Sequence, residues 1–277
     1  MISVSIITSG VCLFLYGVPY PPDGSIVPIV IWSAVWGMGG AFISLLLSKF
    51  MAKRMMGVQI IDPNTTDQRS RRIVQMVHSM ARKARLSKMP EVGVYESPEM
   101  NAFATGPSKS NSLVAVSSGL LNSLNDEQLE GVLGHEIAHI ANGDMVTLTL
   151  IQGVINAFVL FFSRIVASVI ASNFERSRPL VEFGLYIALQ IAFSLLGSMV
   201  VAYFSRIREF RADSGGAKYS SKTNMISALQ ALSRQSLKYN KEDNLAALKI
   251  SGPTSIAALF RTHPPLEDRI ARLQKGY

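Results

Sequence analysis

The sequence predicts an α+β membrane protein: four transmembrane helices and a small mixed α and β domain built from two separated segments. Three observations predict it. Charged residues make up 17% of the 277 and hydrophobic ones 48%, against about 25% charge in ordinary soluble domains. The apolar residues are gathered into four long uncharged runs, and mean hydropathy is +0.27. The basic residues, which set a net charge of +8 and a pI of about 9.7, cluster between those runs. Such a composition excludes disorder.

A spanning helix needs about 20 mostly apolar residues. Ile2–Tyr20 carries no charge, and Pro19, Pro21, Pro22 and Asp23 break the run. It lacks the basic flank and the A-x-A site of a cleavable signal peptide, so it reads as a span. Ile26–Ser48 is again uncharged; Lys49, Lys53 and Arg54 close it, and Gly37, Gly39 and Gly40 interrupt it. The third run goes from Met145 to Ser163, before Arg164. The fourth goes from Phe183 to Ser205, closed by Arg206 and Arg208. Arg164 and Glu182 fall at the outer ends of their helices, where they are expected to snorkel or to pair with each other.

All but three of the 27 basic residues lie in Lys49–Lys109 or Arg206–Lys275. With four spans those two segments share one face of the bilayer. The positive-inside rule makes that face cytoplasmic, with both termini inside. Topology thus explains the basic balance, and nucleic acid is not expected as a partner. The expected layout is a helix pair over 1–50, a first domain segment over 51–144, a second transmembrane hairpin over 145–205 and a second domain segment over 206–277.

Within those segments, 67–84 sets Ile73, Val74, Met76, Val77 and Met80 at helical spacing. His78, on this stretch, has no partner at ligand spacing and reads as a surface or packing residue. Residues 91–96 and 112–117 read as short strands. Asn125 as N-cap, acidic Asp126, Glu127 and Glu130 in the early turns, and Gly143 as a stop define a helix over Asp126–Asn142. Helical patterns recur over 224–239 and 265–274.

The one cysteine, Cys12, excludes an internal disulfide and any multi-thiolate or iron–sulfur site. A metal must therefore be held by carboxylates and by histidines drawn from His78, His135, His139 and His263. His135-Glu136-Ile137-Ala138-His139 matches H-E-x-x-H on the predicted helix. Residues four apart point the same way, so both imidazoles can reach one ion, with Glu136 beside it rather than on it. Gly131 and Gly134 flatten one side of that helix and leave room for a close neighbour. No third histidine follows at the metzincin spacing, and Asn142-Gly143-Asp144 occupies that region instead. The third ligand must be distant, and Glu209 is favoured by topology. Two spans carry the chain out and back between His139 and Glu209, and hairpin helices pack about 8–10 Å apart. Asp213, four residues on, can accept the outer N–H of a ligand histidine.

His135–His139 with Glu209-Phe210-Arg211-Ala212-Asp213 resembles the gluzincin pattern of H-E-x-x-H and a distal E-x-x-x-D. Asn101–Gly106 (NAFATG), Leu113–Leu120 (LVAVSSGL), Gly134–Thr147 (GHEIAHIANGDMVT) and Thr262–Pro265 (THPP) extend the likeness. Together they are similar to the bacterial HtpX family of heat-shock membrane proteases, from about residue 47 to 273. The four-span layout and the THPP segment favour that family over related membrane gluzincins that trim prenylated proteins. The resemblance implies that the mixed domain is a cytoplasmic, zincin-like catalytic domain. It implies a zinc endopeptidase of the bacterial inner membrane, with the bilayer and membrane-protein substrates as partners. Its role would be quality control of misfolded membrane proteins under stress.

Residue by residue, the resemblance implies one Zn2+ per subunit on His135, His139 and Glu209. Glu136 would be general base and then acid, and Asp213 would orient a ligand histidine. His263 would lie near the active site and stabilise a developing oxyanion. Asn101 and Ala102 would sit on a strand beside the cleft and bind an extended substrate by strand addition. Two other readings compete. A membrane scaffold with a structural zinc needs a fourth protein ligand, and no spare His or Cys supplies it. A transporter predicts charged or discontinuous helices at mid-bilayer, and the spans lack central charges.

Overall fold

The computed structural model describes residues 25–242 and 259–276. In chain order its elements are α1 (Val27–Met55), β1 (Gln59–Ile60), α2 (Gln68–Lys83), β2 (Glu91–Tyr95), β3 (Ala102–Ser108) and β4 (Asn111–Ser117). There follow α3 (Ser118–Ser123), α4 (Asp126–Asn142), α5 (Asp144–Ala171), α6 (Arg178–Tyr219), α7 (Lys222–Glu242) and α8 (Leu266–Lys275). They fall into two units, one of 1–43 and 149–201, the other of 44–148 and 202–277. The first apolar run, Ile2–Tyr20, and Cys12 within it lie outside the described residues.

In the first unit, α1, α5 and α6 are each long and apolar enough to cross a membrane. The glycines of α1 do not break it. A Cβ on Gly37 would stand 2.4 Å from the Ala157 backbone nitrogen, so glycine is where α1 comes against α5, the small-residue packing that spans favour. Arg164 and Glu182 pair at 3.3 Å, with Arg164 buried and its guanidinium 5.9 Å from the Tyr186 ring centroid. Of the two expected arrangements, pairing is the one adopted. A charge inside lipid is costly without an opposite one.

In the second unit a four-stranded sheet has the order β1-β2-β4-β3. β2 and β4 run parallel, and the outer pairs run antiparallel. The alternation of β4 puts Val114 and Val116 on the face covered by α2 and α4, with Ile73, Val77, Leu133 and Ile137. Leu113 and Ala115 pack on the other face with Tyr95, Ala52 and Val58. The two-residue β1 and the short α3 carry too little pattern to be read from sequence. Among the described residues β3 has a partner on one side only, which leaves an open edge.

α6 continues past the end of its apolar run, through Arg206, Glu209 and Asp213, to Tyr219. No proline or helix stop intervenes, and Ala, Arg and Glu favour the helix. Its polar half crosses α4 through small residues. A Cβ on Gly216 would meet His135 N at 3.0 Å, and one on Gly215 would meet the Ala138 Cβ at 2.6 Å. Gly134 faces the Gly216 carbonyl, and Gly131 faces the Asn224 carbonyl of α7. The flattened side expected on α4 is where two helices come close.

Candidate metal centre

α4 begins with a capping box between Asn125 and Gln128 and ends at Gly143 in the left-handed region, φ 74°. Both ends fall where the sequence sets them. The helix turns His135 and His139 to one side, and α6 brings Glu209 opposite them. Ligand atoms of these three residues lie within 4.8 Å of one another. The two Nε2 atoms are 3.0 Å apart. His139 Nε2 is 3.4 Å from Glu209 Oε1, and His135 Nε2 is 3.5 Å from Glu209 Oε2. Ligands at about 2.0–2.1 Å in a tetrahedral shell stand about 3.3–3.4 Å apart, so these spacings suit one zinc ion.

The outer nitrogens explain why a cation is needed. Asp213 Oδ1 is 3.0 Å from His135 Nδ1, and Asp144 Oδ2 is 2.6 Å from His139 Nδ1. Each carboxylate draws the imidazole N–H to Nδ1 and leaves the Nε2 lone pair pointing inward. Two lone pairs 3.0 Å apart repel unless a proton or a metal ion sits between them. Glu209 Oε2 is buried and makes no hydrogen bond of good geometry among the described residues. His263 Nδ1 at 3.0 Å and an Arg269 nitrogen at 3.4 Å surround it. Burial alone would lower the pKa of both imidazoles. The facing carboxylates outweigh it, raising His135 and taking His139 up to about 9. Burial pushes the Glu136 carboxyl up, against the pull of the two imidazoles. β3 packs against α4, so the open sheet edge lies beside the helix that carries Glu136.

Asp213 Oδ1 stands at the outer nitrogen of His135. His263 reaches the site by touching Glu209, with its side chain 65% exposed. Asn101 lies just before β3 and Ala102 opens that strand. Their backbone is fixed by Ser117, whose hydroxyl accepts from Asn101 N at 3.0 Å and donates to Glu99 O at 2.6 Å. His78 hydrogen-bonds the Pro90 carbonyl at 3.2 Å, away from the site.

Two groups escaped sequence reasoning. Asp144 was seen only as a residue that is not histidine, although its place five after His139, at the start of a helix, could have flagged it. Arg269 is buried on α8, forked onto Asp213 at 2.6 and 2.8 Å, which neutralises that carboxylate. Its spacing of six from His263 carries no recognisable signal by itself. α6 also places Arg206 on the Arg261 carbonyl at 2.8 Å, holding the segment that leads to His263.

The chain matches the family model "Peptidase family M48" over residues 67–276. It is 51% identical over 266 residues to a protease HtpX homolog of Bacillus subtilis, covering 93% of this chain and 89% of that protein. It is also 51% identical over 254 residues to the protease HtpX of Shewanella loihica, covering 89% and 88%. The crystal structure of S. mikatae Ste24p aligns with 98% of this chain at a TM-score of 0.62 and 16% identity, which shows a shared fold. The chain spans 65% of that protein's length.

Proposed function

Because the chain belongs to peptidase family M48, we propose that this metalloprotease is an integral membrane zinc endopeptidase that cleaves membrane proteins at their cytoplasmic face. The observation that carries this is the convergence of His135, His139 and Glu209, with Glu136 buried beside them at an open sheet edge. Three long apolar helices and the one-sided basic charge support the membrane setting and its orientation. The likeness to heat-shock membrane proteases supports quality control of misfolded membrane proteins as the role.

His135, His139 and Glu209 would hold the ion. The chemistry zinc supplies when bound is Lewis acidity, which lowers the pKa of water toward about 7 and offsets negative charge. Asp213 and Asp144 keep the imidazole protons on Nδ1, so both Nε2 atoms stay available. The β3 edge from Ala102 onward, entered through Asn101, pairs with an extended substrate by backbone hydrogen bonds. This sets one peptide carbonyl next to Glu136. Glu136 takes the proton of the attacking water, then delivers it to the departing amine nitrogen. His263, on the exposed rim, donates to the oxyanion.

The test uses the full chain in detergent with a membrane-protein substrate. Glu136→Gln is expected to lower turnover by about 10²–10⁴-fold while zinc content stays at that of the unaltered protein. Cleavage that persists in this variant removes Glu136 as the base, and cleavage insensitive to chelators removes the metal.

A further inference from the structure

Each ligand imidazole presents its outer nitrogen to a carboxylate, and each of those carboxylates faces an arginine. Behind His135, Asp213 holds the Arg269 fork at 2.6 and 2.8 Å. Behind His139, Asp144 Oδ2 accepts from Nδ1 at 2.6 Å, and Asp144 Oδ1 is 3.5 Å from Arg208 Nε. The side chains of Asp144 and Arg208 are 4% and 13% exposed. Nε and Nη1 of Arg208 are buried with no hydrogen-bond partner among the described residues, so the charge of Asp144 is what this cation has to face. The basic residues that follow the apolar run of α6 therefore part company. Arg206 holds the Arg261 carbonyl, Arg211 is exposed, and Arg208 turns to Asp144.

Helix geometry produces this arrangement. Arg208 and Glu209 are consecutive on α6, about 100° apart around it. One helix can therefore bring a carboxylate to the two imidazoles and set a cation against the start of α5, where Asp144 lies. A buried carboxylate is costly without an opposite charge. The partial positive charge at the start of α5 offsets part of that cost, and it is smaller than a full cation. With Arg208 in place, Asp144 stays ionised and buried with Oδ2 aimed at His139. Without it, the carboxylate gains by turning toward water, and the His139 N–H loses its acceptor.

We infer that Arg208 is a positioning residue for the metal centre: it pins Asp144, and Asp144 aims His139 at the ion. This deepens the proposed function and rests on its zinc site at His135, His139 and Glu209. The sign of the effect separates this role from that of a bare charge. A cation near a metal centre repels the metal ion, so an arginine acting by charge alone weakens zinc binding and its removal tightens it. An arginine acting through Asp144 strengthens zinc binding, and its removal weakens it.

Zinc affinity of the full chain in detergent is read by chelator competition at pH 9, and Co2+ loaded in place of zinc reads the ligand arrangement by its visible absorption. Arg208→Met keeps an apolar stem and loses the charge. It is expected to weaken zinc by about three- to thirtyfold, within the range of coupling between residues of one ion-pair network, and to change the cobalt band. Arg208→Lys restores a charge and is expected to recover most of the affinity. With Asp144→Asn already present, Arg208→Met is expected to change nothing further, because the residue it acts through has lost its charge. Arg211→Gln, the same loss of charge from an exposed position on α6, is expected to leave both readings unchanged. Tighter or unchanged zinc binding in Arg208→Met overturns the inference. So does an unaltered cobalt band, or an equal loss of affinity in the Asp144→Asn background. Should Arg208→Met not fold, Arg208→Gln takes its place under the same criteria. Glu209→Ala that keeps its zinc sinks the metal-site reading. Glu209→Ala without zinc, beside Arg208→Met at full affinity, sinks this inference alone.

Discussion

Replacing Asp144 by Asn isolates the contact between the second α4 histidine and its carboxylate. The bond from His139 Nδ1 to Asp144 Oδ2 is 2.6 Å long, and Asp144 is 3% exposed. A buried hydrogen bond to a charged group contributes about 1.5–3 kcal/mol, or roughly 10–150-fold in a binding constant. Residues behind a metal ligand usually account for about 10–100-fold in metal affinity. Protons complicate the reading in a useful way. The same contact helps hold the His139 pKa up to about 9, so at pH 7 zinc must displace a proton that the variant holds less tightly. With a pKa near 9 in the metal-free protein, affinity should climb about fiftyfold between pH 7 and pH 9. In Asp144→Asn one of the groups that raise the pKa is gone while Glu209 and Glu136 remain, so the pKa falls and that slope flattens. The variant should therefore bind zinc about 5–50-fold more weakly than the unaltered protein at pH 9, with the gap closing near pH 7. The assay is zinc competition against a fluorescent chelator, with the full chain in detergent, at both pH values. Equal affinity at pH 9, or an unchanged pH slope, would refute the reasoning.

Other outcomes follow from the same geometry. Glu209→Ala removes one of three ligands and should leave the purified protein without bound zinc; full occupancy by metal analysis means the third ligand is another residue. Gly216→Val puts methyl groups where even a Cβ lies 3.0 Å from His135 N. It should separate α6 from α4, cost about 1–3 kcal/mol and weaken zinc binding, read as a lower Tm and lower chelator-competed affinity; an unchanged pair of values removes the helix crossing as the device that brings Glu209 in. In the metal-free chain His139 has a raised pKa, so its stabilising contribution is complete below pH 6.5 and is lost as pH rises through about 9. Thermal melts of the chelated protein should show Tm falling across that window, and falling less in Asp144→Asn.

Much of this was legible in the chain because the signals are local. Asn125 and Gly143 bound α4 by backbone chemistry that any helix obeys, and His135 and His139 share a face because a helix repeats every 3.6 residues. Gly131 and Gly134 announced close approach, and they face Asn224 and Gly216. β1 and α3 were not legible, since two and six residues hold too little periodicity. The apolar run by itself does not give the length of α6, because apolar character ends at Ser205 while helix propensity does not. Lipid demands hydrophobicity, whereas a helix demands only that its backbone bonds continue.

By itself, then, the order of residues determined the imidazole pair, the acid between them and the apolar lengths that turn the chain back toward them. That Asp144 would stand behind His139, and that Arg269 would neutralise Asp213, was decided only in the folded chain, at the junction of α4 with α5 and where α8 meets α6. Arg269 lies 56 positions from Asp213 and 134 from His135, where no spacing rule reaches, and Asp144 meets His139 around a helix junction. The reason is physical. A ligand's direction is fixed by the period of its own helix, but its partners are fixed by how closely two helices can approach, and here glycines on both sides set that distance.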